Sequence, residues 1–376
     1  MRIALVLGLA GLCLLAPCGS ASSTEGGTEA RLEAGTVTIM SGSTFDGTAV
    51  IARDLAALVG DRSLRAVPMI GQGPAQTLRD ILSAGGTGVS VDLGVTHSTV
   101  LNHYAQTGEL GPIKDRLVYV AKLFNEDLHL LAGANIATVE DLEGKMVNVG
   151  PEGSATEIAA KILFEALELH IDAAHLDPAD AVAQVRSGDL DAALLIGTTP
   201  IAGLSQIGSE AGVRLLPVPY PRGLEDDTYP TVLTHEDYPA LIESGARVDT
   251  VGICAVLVSL GDTEGDAEDT SRQARIDLFV DRFFAKFDAL RQPPNHSKWQ
   301  EVNFAATLEG WRRAPQSQAW LDRARSAALA EARERESFKK FLTQTGDAVS
   351  PGSVSDADQE KLFRAFKAWS KAQQSN

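Results

Sequence analysis

The sequence predicts an α/β fold built as two lobes, each a mixed sheet flanked by helices, followed by a helical C-terminal extension. Short β-branched runs alternate with segments whose apolar residues recur at helical spacing, which is typical of a parallel or mixed sheet covered by helices. The same order of elements occurs twice along the chain. At 376 residues the chain is also long for one domain, so two lobes are expected.

The clearest element lies at 147–167, VNVGPEGSATEIAAKILFEAL, a pattern of strand, glycine turn and helix. Ser154 and Glu157 have the spacing of a capping box, with Ser154 as N-cap. First-turn N–H groups have no partner inside their helix and, with the helix dipole, favour a small anion. We therefore expect an anion at Ser154, Ala155 and Thr156. In the alternative, Ser154 only caps its own helix, and Glu157 would repel an anion if it faced the ligand.

Two copies of one plan account for most of the chain. Ser43 of GSTFDGTAVIARDL corresponds to Ser154 of GSATEIAAKILFEAL. Ser83 of LSAGGTGVSVDLGVTHS corresponds to Ser187 of VRSGDLDAALLIGTTP. Ligands of such sheets bind beyond the carboxyl ends of the strands, where these Gly/Ser/Thr loops lie. Two such sheets facing one another predict a cleft lined by loops from both.

Polar side chains in the loops are expected to line this cleft through hydroxyl and amide hydrogen bonds. They are Ser43, Thr44, Gln72, Thr96, His97, Thr198 and Thr199. Loop serines and threonines also form turns, which is the alternative for each residue taken singly. Because they recur at equivalent places in both copies, we favour a ligand site. Asp46 either pairs with an amino group of the ligand or caps its own helix.

The remaining elements complete the two lobes. Residues 251–259 form an apolar strand that is expected to return to the first lobe as a second crossing. Further strands are predicted at 89–95, 117–124 and 129–132, a polar loop at 96–99, and helices around 276–290, 301–310 and 319–341. The apolar face of a short final helix, formed by Leu362, Phe363, Phe366 and Trp369, packs onto the body or docks to a partner.

The N-terminus, MRIALVLGLAGLCLLAP followed by Gly19-Ser20-Ala21, is typical of a secretory signal peptide. Its apolar run is too short for a good membrane span. Cys18 is a candidate for a lipid anchor, but Pro17 stands where bacterial lipoprotein signals have a small residue. We therefore expect soluble export to the periplasm. Cys254 would then be the single cysteine of the mature chain, buried and inert.

The expected organisation has five parts. They are a signal peptide at 1–21, a disordered lead-in at 22–35, a first lobe with clamping helices at 36–117 and 251–340, a second lobe at 118–250, and a linker with an amphipathic helix at 341–376. The net charge of −17 argues against nucleic acid and anionic membranes as partners. We expect a monomer.

No residue is predicted to be catalytic, and no metal or cofactor is expected. The seven histidines include no pair at the i, i+4 spacing of a helical metal site, and there is no Gly-x-Ser-x-Gly elbow. His97 alone falls in a predicted cleft loop, as a base or as a hydrogen-bond donor. Without a nucleophile or an orienting carboxylate, we favour the donor.

The pattern resembles the TAXI-type solute-binding proteins of TRAP transporters, which have the type II periplasmic binding protein fold. The resemblance rests on TVTIMSGSTFDGTAVIARDLAALV, TVEDLEGKMVNVGPEGSATEIAAKILFEALEL, VRSGDLDAALLIGTTPI, GVRLLPVP and VGICAVLVS, and covers most of 36–340. It implies an exported protein that captures a small organic anion, an amino acid or dicarboxylate, between hinged lobes. The ligand would pass to a TRAP-type membrane permease, without any chemistry.

The chain departs from that family at two ligand-facing loops. Phe45-Asp46-Gly47 replaces a glycine pair followed by tyrosines, and Gly71-Gln72-Gly73 lacks the usual serine. The resemblance therefore implies the architecture and the general role more than the ligand. The alternatives are the binding component of a periplasmic sensor or lipid-trafficking complex and, as a lesser one, an enzyme on the same fold.

Overall fold

The computed structural model describes residues 35–42, 47–83, 90–209, 212–220, 228–261, 267–344 and 360–367. Its strands are β1 (Thr36–Ser41), β2 (Arg65–Ile70), β3 (Leu93–His97), β4 (Leu117–Ala132), β5 (Met146–Asn148), β6 (Asp172–Ala174), β7 (Ala192–Gly197), β8 (Arg214–Leu216), β9 (Thr228–Thr234) and β10 (Arg247–Leu260). Its helices are α1 (Thr48–Val59), α2 (Pro74–Leu82), α3 (Ser98–Thr107), α4 (Ile113–Arg116), α5 (Ala155–Ala166), α6 (Pro178–Ser187), α7 (Ala202–Ser205), α8 (Ala267–Lys286), α9 (Pro315–Gln344) and α10 (360–367). Short 3-10 turns lie at Val139–Leu142, Phe287–Ala289 and Ser297–Glu301.

The strands form one mixed sheet in the order β2-β1-β3-β10-β4-β7-β5-β6, with β8 paired to β4 and β9 to β10. A first half, β2-β1-β3, is parallel, and so is a second half, β7-β5-β6. The long strands β4 and β10 run antiparallel between them. The predicted fold class, a two-lobed α/β sheet flanked by helices with a helical C-terminal extension, is confirmed. The division of the chain into lobes at 117/118 and 250/251 stays a prediction.

One continuous strand, β4, replaces the two strands predicted at 117–124 and 129–132, so that prediction is wrong. The polar run Asn125-Glu126-Asp127 interrupts the apolar pattern without interrupting the ladder, because β10 pairs with β4 along this stretch. Asp127 lies opposite Gly252 of β10 on one side and Gly197 of β7 on the other. The residue therefore marks the point where the two halves of the sheet meet.

The second crossing predicted at 251–259 is confirmed by β10, which lies between β3 and β4. The loop predicted at 96–99 is wrong. Thr96 and His97 belong to β3, because they pair with Val256 and Ala255 of β10. The strand therefore continues to His97, and α3 begins at Ser98. Cys254 is buried in β10, as predicted, and its thiol donates to the Ala255 carbonyl oxygen at 3.2 Å.

The helix predicted at 301–310 is wrong. Residues 302–310 form an irregular segment whose apolar side chains Val302 and Leu308 are buried. Arg313 donates from its guanidinium to the carbonyl oxygens of Phe304, at 2.8 Å, and Ala306, at 2.6 Å. These bonds satisfy backbone acceptors that a helix would have satisfied internally.

The repeat found in the sequence is visible at two helix ends. Ser83 follows α2 directly and Ser187 ends α6, and each helix is followed along the chain by a strand, β3 or β7. In both, the serine Oγ donates to the carbonyl oxygen three residues earlier, that of Asp80 or Gln184, at 3.1 Å. The correspondence of Ser43 with Ser154 lies outside the described residues, since 43–46 are not among them.

Three apolar cores hold the elements together. One packs the first half of the sheet against α1 and α8 and includes Ile51, Phe279 and Trp299. A second lies under α6 in the other half. The largest runs through both halves and includes Leu101 of α3 and Leu163 of α5. The two halves are therefore packed against each other as well as joined by β4 and β10.

The C-terminal extension is formed by the outer part of α9 and by α10. Residues 325–337 of α9 are all exposed, whereas Phe338 is buried against Phe363 of α10, with ring centroids 5.5 Å apart. Arg335 forms an ion pair with Glu360 at 3.0 Å. Of the predicted apolar face of the final helix, Phe363 and Phe366 thus pack against Phe338 of α9, Leu362 is 39% exposed, and Trp369 lies outside the described residues. In the described ranges, no helix has the length and apolar character needed to cross a membrane.

Candidate functional site

The candidate site is built on the polar run of β4 where the strand passes from one half of the sheet to the other. Glu126 and Asp127 are both buried there, with 0% and 5% of their surface exposed. Buried carboxylates are rare unless other groups pair with them. Six residues from both halves form this arrangement, which we call the junction cluster: His97, Glu126, Asp127, His129, Thr199 and Tyr238.

His97 and Glu126 form a buried pair at the end of β3. The His97 Nε2 atom lies 2.6 Å from the Glu126 Oε2 atom, and both side chains are almost completely enclosed. An ionised carboxylate only accepts hydrogen bonds, so Nε2 is the donor in this contact. The second carboxylate oxygen, Oε1, is buried and has no hydrogen-bond partner among the described residues.

Gly47, at the start of α1, allows this carboxylate to approach the helix. A Cβ atom on Gly47 would lie 1.9 Å from Glu126 Oε1 and 3.7 Å from the methyl carbon of Thr198. Only glycine fits at this position. The N-terminus of α1, the buried carboxylate and the loop after β7 therefore meet at one point, with the positive end of the α1 dipole facing Glu126.

Asp127 organises the other part of the junction cluster. The Thr199 hydroxyl donates to Asp127 Oδ2 at 2.6 Å. His129 Nδ1 lies 2.9 Å from the Asp127 carbonyl oxygen, which can only accept, so Nδ1 carries the proton. Nε2 then accepts from the Tyr238 hydroxyl at 2.8 Å. These bonds hold the Asp127 and His129 side chains of β4 to Thr199, which follows β7, and to Tyr238, which follows β9.

Burial controls the ionisation of these groups. It lowers the pKa of His129 to about 4, so the imidazole is neutral at neutral pH. Burial also raises the pKa of Tyr238 and of Asp127, although the Thr199 hydrogen bond opposes the effect on Asp127. Among the described residues, no group of three or more His, Cys, Asp or Glu side chains is arranged to hold a metal ion.

The predicted capping box at α5 is present with one change. Ser154 is the N-cap, and its Oγ accepts from the Glu157 N–H at 3.1 Å. The Glu157 carboxylate accepts from the Gly153 N–H at 2.6 Å, one residue before the expected partner. Ser154 therefore caps its own helix, and an anion at the first turn stays a prediction. The carboxylate of Glu157 already lies at the tip where the sequence predicts an anion.

The loop after β2 contacts this helix tip directly. A Cβ atom on Gly73 would lie 2.9 Å from the carbonyl oxygen of Gly153. Gln72 beside it is exposed, and its backbone N–H donates to the Gln76 side-chain oxygen at 2.6 Å. The first and second halves of the sheet thus touch through backbone at this contact.

The predicted site residues fall into two groups. Thr96, His97, Thr198 and Thr199 lie at the junction, where Thr198 Oγ1 is 3.4 Å from His296 Nε2. Gln72, Ser154, Ala155 and Thr156 lie at the contact between the β2 loop and α5. Ser43 and Thr44 lie outside the described residues.

The sequence did not single out Glu126, Asp127, His129, Tyr238 or His296. The available signal is an acidic dipeptide inside a long apolar run. This pattern fits a break between two strands, and it fits equally a buried acidic pair within one strand, which is what β4 contains. Glu126 supplies the orienting carboxylate that the sequence alone does not assign to His97.

Part of the chain matches a known protein family. Residues 87–262 match the NMT1-like family. The matched segment is slightly less than half of the chain, and it runs from before β3 to the end of β10. It therefore contains every residue of the junction cluster, while α1, α8 and α9 lie outside it.

Several solved structures align with much of the chain at low identity. The periplasmic aliphatic sulphonate binding protein SsuA from Escherichia coli is 21% identical, covers 76% of this chain and 82% of its own, and has a TM-score of 0.40. The alkanesulfonate-binding protein SsuA from Xanthomonas axonopodis pv. citri bound to MOPS is 17% identical, covers 71% of this chain and 82% of its own, and has a TM-score of 0.38. YhfZ from Shigella flexneri is 14% identical, covers 73% of this chain and 100% of its own, and has a TM-score of 0.39. Similarity at this level does not bear on the ligand of this chain.

Proposed function

We propose that this chain is an exported, TAXI-type solute-binding protein. It captures a small organic anion of the amino acid or dicarboxylate class between the two halves of its sheet and delivers it to a TRAP-type membrane permease. The observation that carries the proposal is the junction cluster, in which polar side chains from both halves converge on buried residues of β4. A ligand held there would contact both halves at once.

The charges of the junction support an amino acid over a dicarboxylate. Glu126 has a buried acceptor atom without a partner among the described residues, and Asp127 lies next to it in sequence. An ammonium group would donate to such oxygens and offset their burial, whereas a second carboxylate would be repelled. We therefore assign the ligand's amino group to Glu126 and Asp127.

The ligand's carboxylate is assigned to the first turn of α5. Ala155 and Thr156 occupy the first two helical positions, where N–H groups have no partner within the helix. Hydrogen bonds from such groups to a charged acceptor contribute about 1.5–3 kcal/mol each. The neighbouring Glu157 carboxylate opposes this, so the ligand's amino group is needed to make capture favourable overall.

Capture without chemistry is supported by the pairing of His97. Its Nε2 atom is hydrogen-bonded to Glu126 Oε2 at 2.6 Å, so this nitrogen is already engaged within the protein. We therefore assign His97 a positioning role, in which it orients the Glu126 carboxylate toward the ligand's amino group.

The proposal is tested by a thermal-shift and calorimetric screen with glutamate, succinate and glucose as representatives of three solute classes. We expect glutamate to raise the melting temperature and to be recovered unchanged. Asp127→Asn should weaken its binding at least about tenfold, because the ammonium loses a charged acceptor. Asp288→Asn, which changes a carboxylate that is 94% exposed, is the matched control.

Two results would contradict the proposal. Consumption of the amino acid during the assay would show an enzyme. Equal affinities in the wild-type protein and in Asp127→Asn would show that the junction does not hold the ligand.

A further inference from the structure

A crevice of about 430 Å³ lies between α3 of the first half and α5 of the second half. It is bounded on the third side by the end of β5 and by β6. None of the residues of the junction cluster lines it. The crevice is therefore separate from the junction cluster, although Glu157, which neighbours the α5 turn assigned to the ligand's carboxylate, borders it. Its volume is in the range of small-molecule pockets.

The inner wall of the crevice is apolar. It is formed by Val149 beyond β5, by Ile158 and Phe164 of α5, and by Ile171 beside β6. Phe164 and Ile158 are almost fully buried, with 4% and 6% of their surface exposed. A ligand with a hydrocarbon or aromatic body would cover this wall and remove it from water.

The rim of the crevice is polar and carries more negative than positive charge. Glu109 and Glu157 supply two carboxylates, and Lys161 supplies one ammonium group. Glu157 is fixed in place, since its Oε2 accepts from the Gly153 N–H at 2.6 Å and its Oε1 lies 3.7 Å from His175 Nδ1. A positively charged group at this rim would meet two carboxylates, one of them already immobilised.

Two uncharged groups extend the rim on the α3 side. Burial lowers the pKa of His103, with Lys161 contributing in the same direction, so the imidazole is neutral at neutral pH and does not repel a cation. Burial raises the pKa of Tyr104, which keeps its hydroxyl neutral as a hydrogen-bonding group. The net charge of −17 attracts cations to the protein over a longer range.

We propose that the crevice between α3 and α5 is a second ligand site, which binds a small organic cation with an apolar body, of the arylalkylamine class. The ammonium group lies between Glu109 and Glu157, and the aromatic ring covers Phe164 and Ile158. This site uses none of the residues of the junction cluster and does not rest on the function proposed for it.

Occupation of the crevice also acts on the contact between the two halves. Glu157 accepts a hydrogen bond from the Gly153 N–H, and a Cβ atom on Gly73 would lie 2.9 Å from the Gly153 carbonyl oxygen. An ammonium group that binds Glu157 therefore changes the charge at this contact. Amine binding is expected to raise the melting temperature of the whole protein, because it bridges elements of both halves.

The test uses calorimetry on the full chain with 2-phenylethylamine and with 3-phenylpropionate, which has a similar shape and the opposite charge. We expect the amine to bind at least about tenfold more tightly than the carboxylate, since charge is the main difference. Ala173→Phe places a ring in the crevice from an exposed position on β6, and should weaken amine binding by about tenfold or more. Glu109→Gln should weaken it by about threefold to tenfold.

Two control variants distinguish amine binding in the crevice from the effect of an added aromatic ring elsewhere and from ligand binding at the junction. Ala183→Phe adds the same ring at an exposed position of α6, away from the crevice, and should leave amine binding unchanged. Asp127→Asn should also leave it unchanged, while weakening the ligand proposed for the junction. The proposal is overturned if both probes bind equally, if neither binds, or if Ala173→Phe binds the amine as tightly as wild type.

Discussion

Gly47 is the residue on which the packing of the buried Glu126 carboxylate depends. In Gly47→Ala, the new methyl group would overlap Glu126 Oε1, which lies 1.9 Å from the Cβ position. Because the carboxylate is enclosed and bonded to His97, it cannot move away freely. We expect a loss of about 1–3 kcal/mol in the free energy of unfolding, measured by urea denaturation.

A control for this prediction is available in a second helix. Gly203 lies in α7 with no atom within 4 Å of its Cβ position, so Gly203→Ala should be neutral or slightly stabilising. If the loss in Gly47→Ala comes from the clash, the double variant Gly47→Ala/Glu126→Ala should lose less than the sum of the two single variants. Strict additivity would contradict the packing argument.

The lowered pKa of His129 predicts that the free energy of unfolding decreases as the pH is lowered. Its pKa is about 4 in the folded protein, against about 6.5 in an unfolded chain. Between these values the unfolded chain binds a proton that the folded protein does not, so stability falls as the pH is lowered from about 6.5 to about 4. The contribution of this residue is at most about 3 kcal/mol.

The measurement compares urea denaturation at several pH values in wild type and in His129→Gln. The variant should lose less stability on acidification, while His170→Gln, at a side chain that is 90% exposed, should follow wild type. Asp127 acts in the opposite direction, because its raised pKa favours proton uptake by the folded protein as the pH falls. Parallel curves for wild type and His129→Gln would contradict the assignment.

At the scale of elements, the sequence predicts features that depend on neighbouring residues better than features that depend on pairing with a distant strand. Pro74 at the first position of α2 and Ser154 as the cap of α5 were predictable, because both features depend only on neighbouring residues. The continuity of β4 was not, since it depends on pairing with β10, more than a hundred residues later. The candidate site divides in the same way. His97 is singled out by the local pattern of a strand followed by a polar run, whereas its partner Glu126 lies inside a strand and is not.

The α9–α10 contact predicts that the last helix stabilises only its immediate neighbourhood. In a chain ending at residue 344, Phe338 loses its contacts with Phe363 and Phe366. Residues 325–337 are exposed, so no other core is disturbed. We expect the melting temperature to fall by less than about 2 °C, while hydrogen exchange in this part of α9 becomes faster.

Phe363→Ala provides a matched point variant and should reproduce the faster exchange without shortening the chain. A drop of about 10 °C on truncation would instead show that α10 stabilises the body of the protein.

At the scale of the whole molecule, the largest apolar core predicts a single unfolding transition. Its residues come from α3 in one half and from α5 in the other, so the unfolding of either half removes this shared core, although each half also has a smaller core of its own. Hydrogen exchange should give the same opening free energy for β1 and for β7, and fluorescence and circular dichroism should report one urea midpoint. Two separated transitions would show that the halves are independent.

The central position of β10 has a consequence for the order of events during synthesis. The strand that joins β3 to β4 is the last of those described to leave the ribosome, ending at Leu260. Until then the amino-terminal strands lack a neighbour on their inner side, and the sheet is interrupted at its middle. Such distant pairing folds slowly. A nascent chain of this design cannot complete its sheet before residue 260 has left the ribosome.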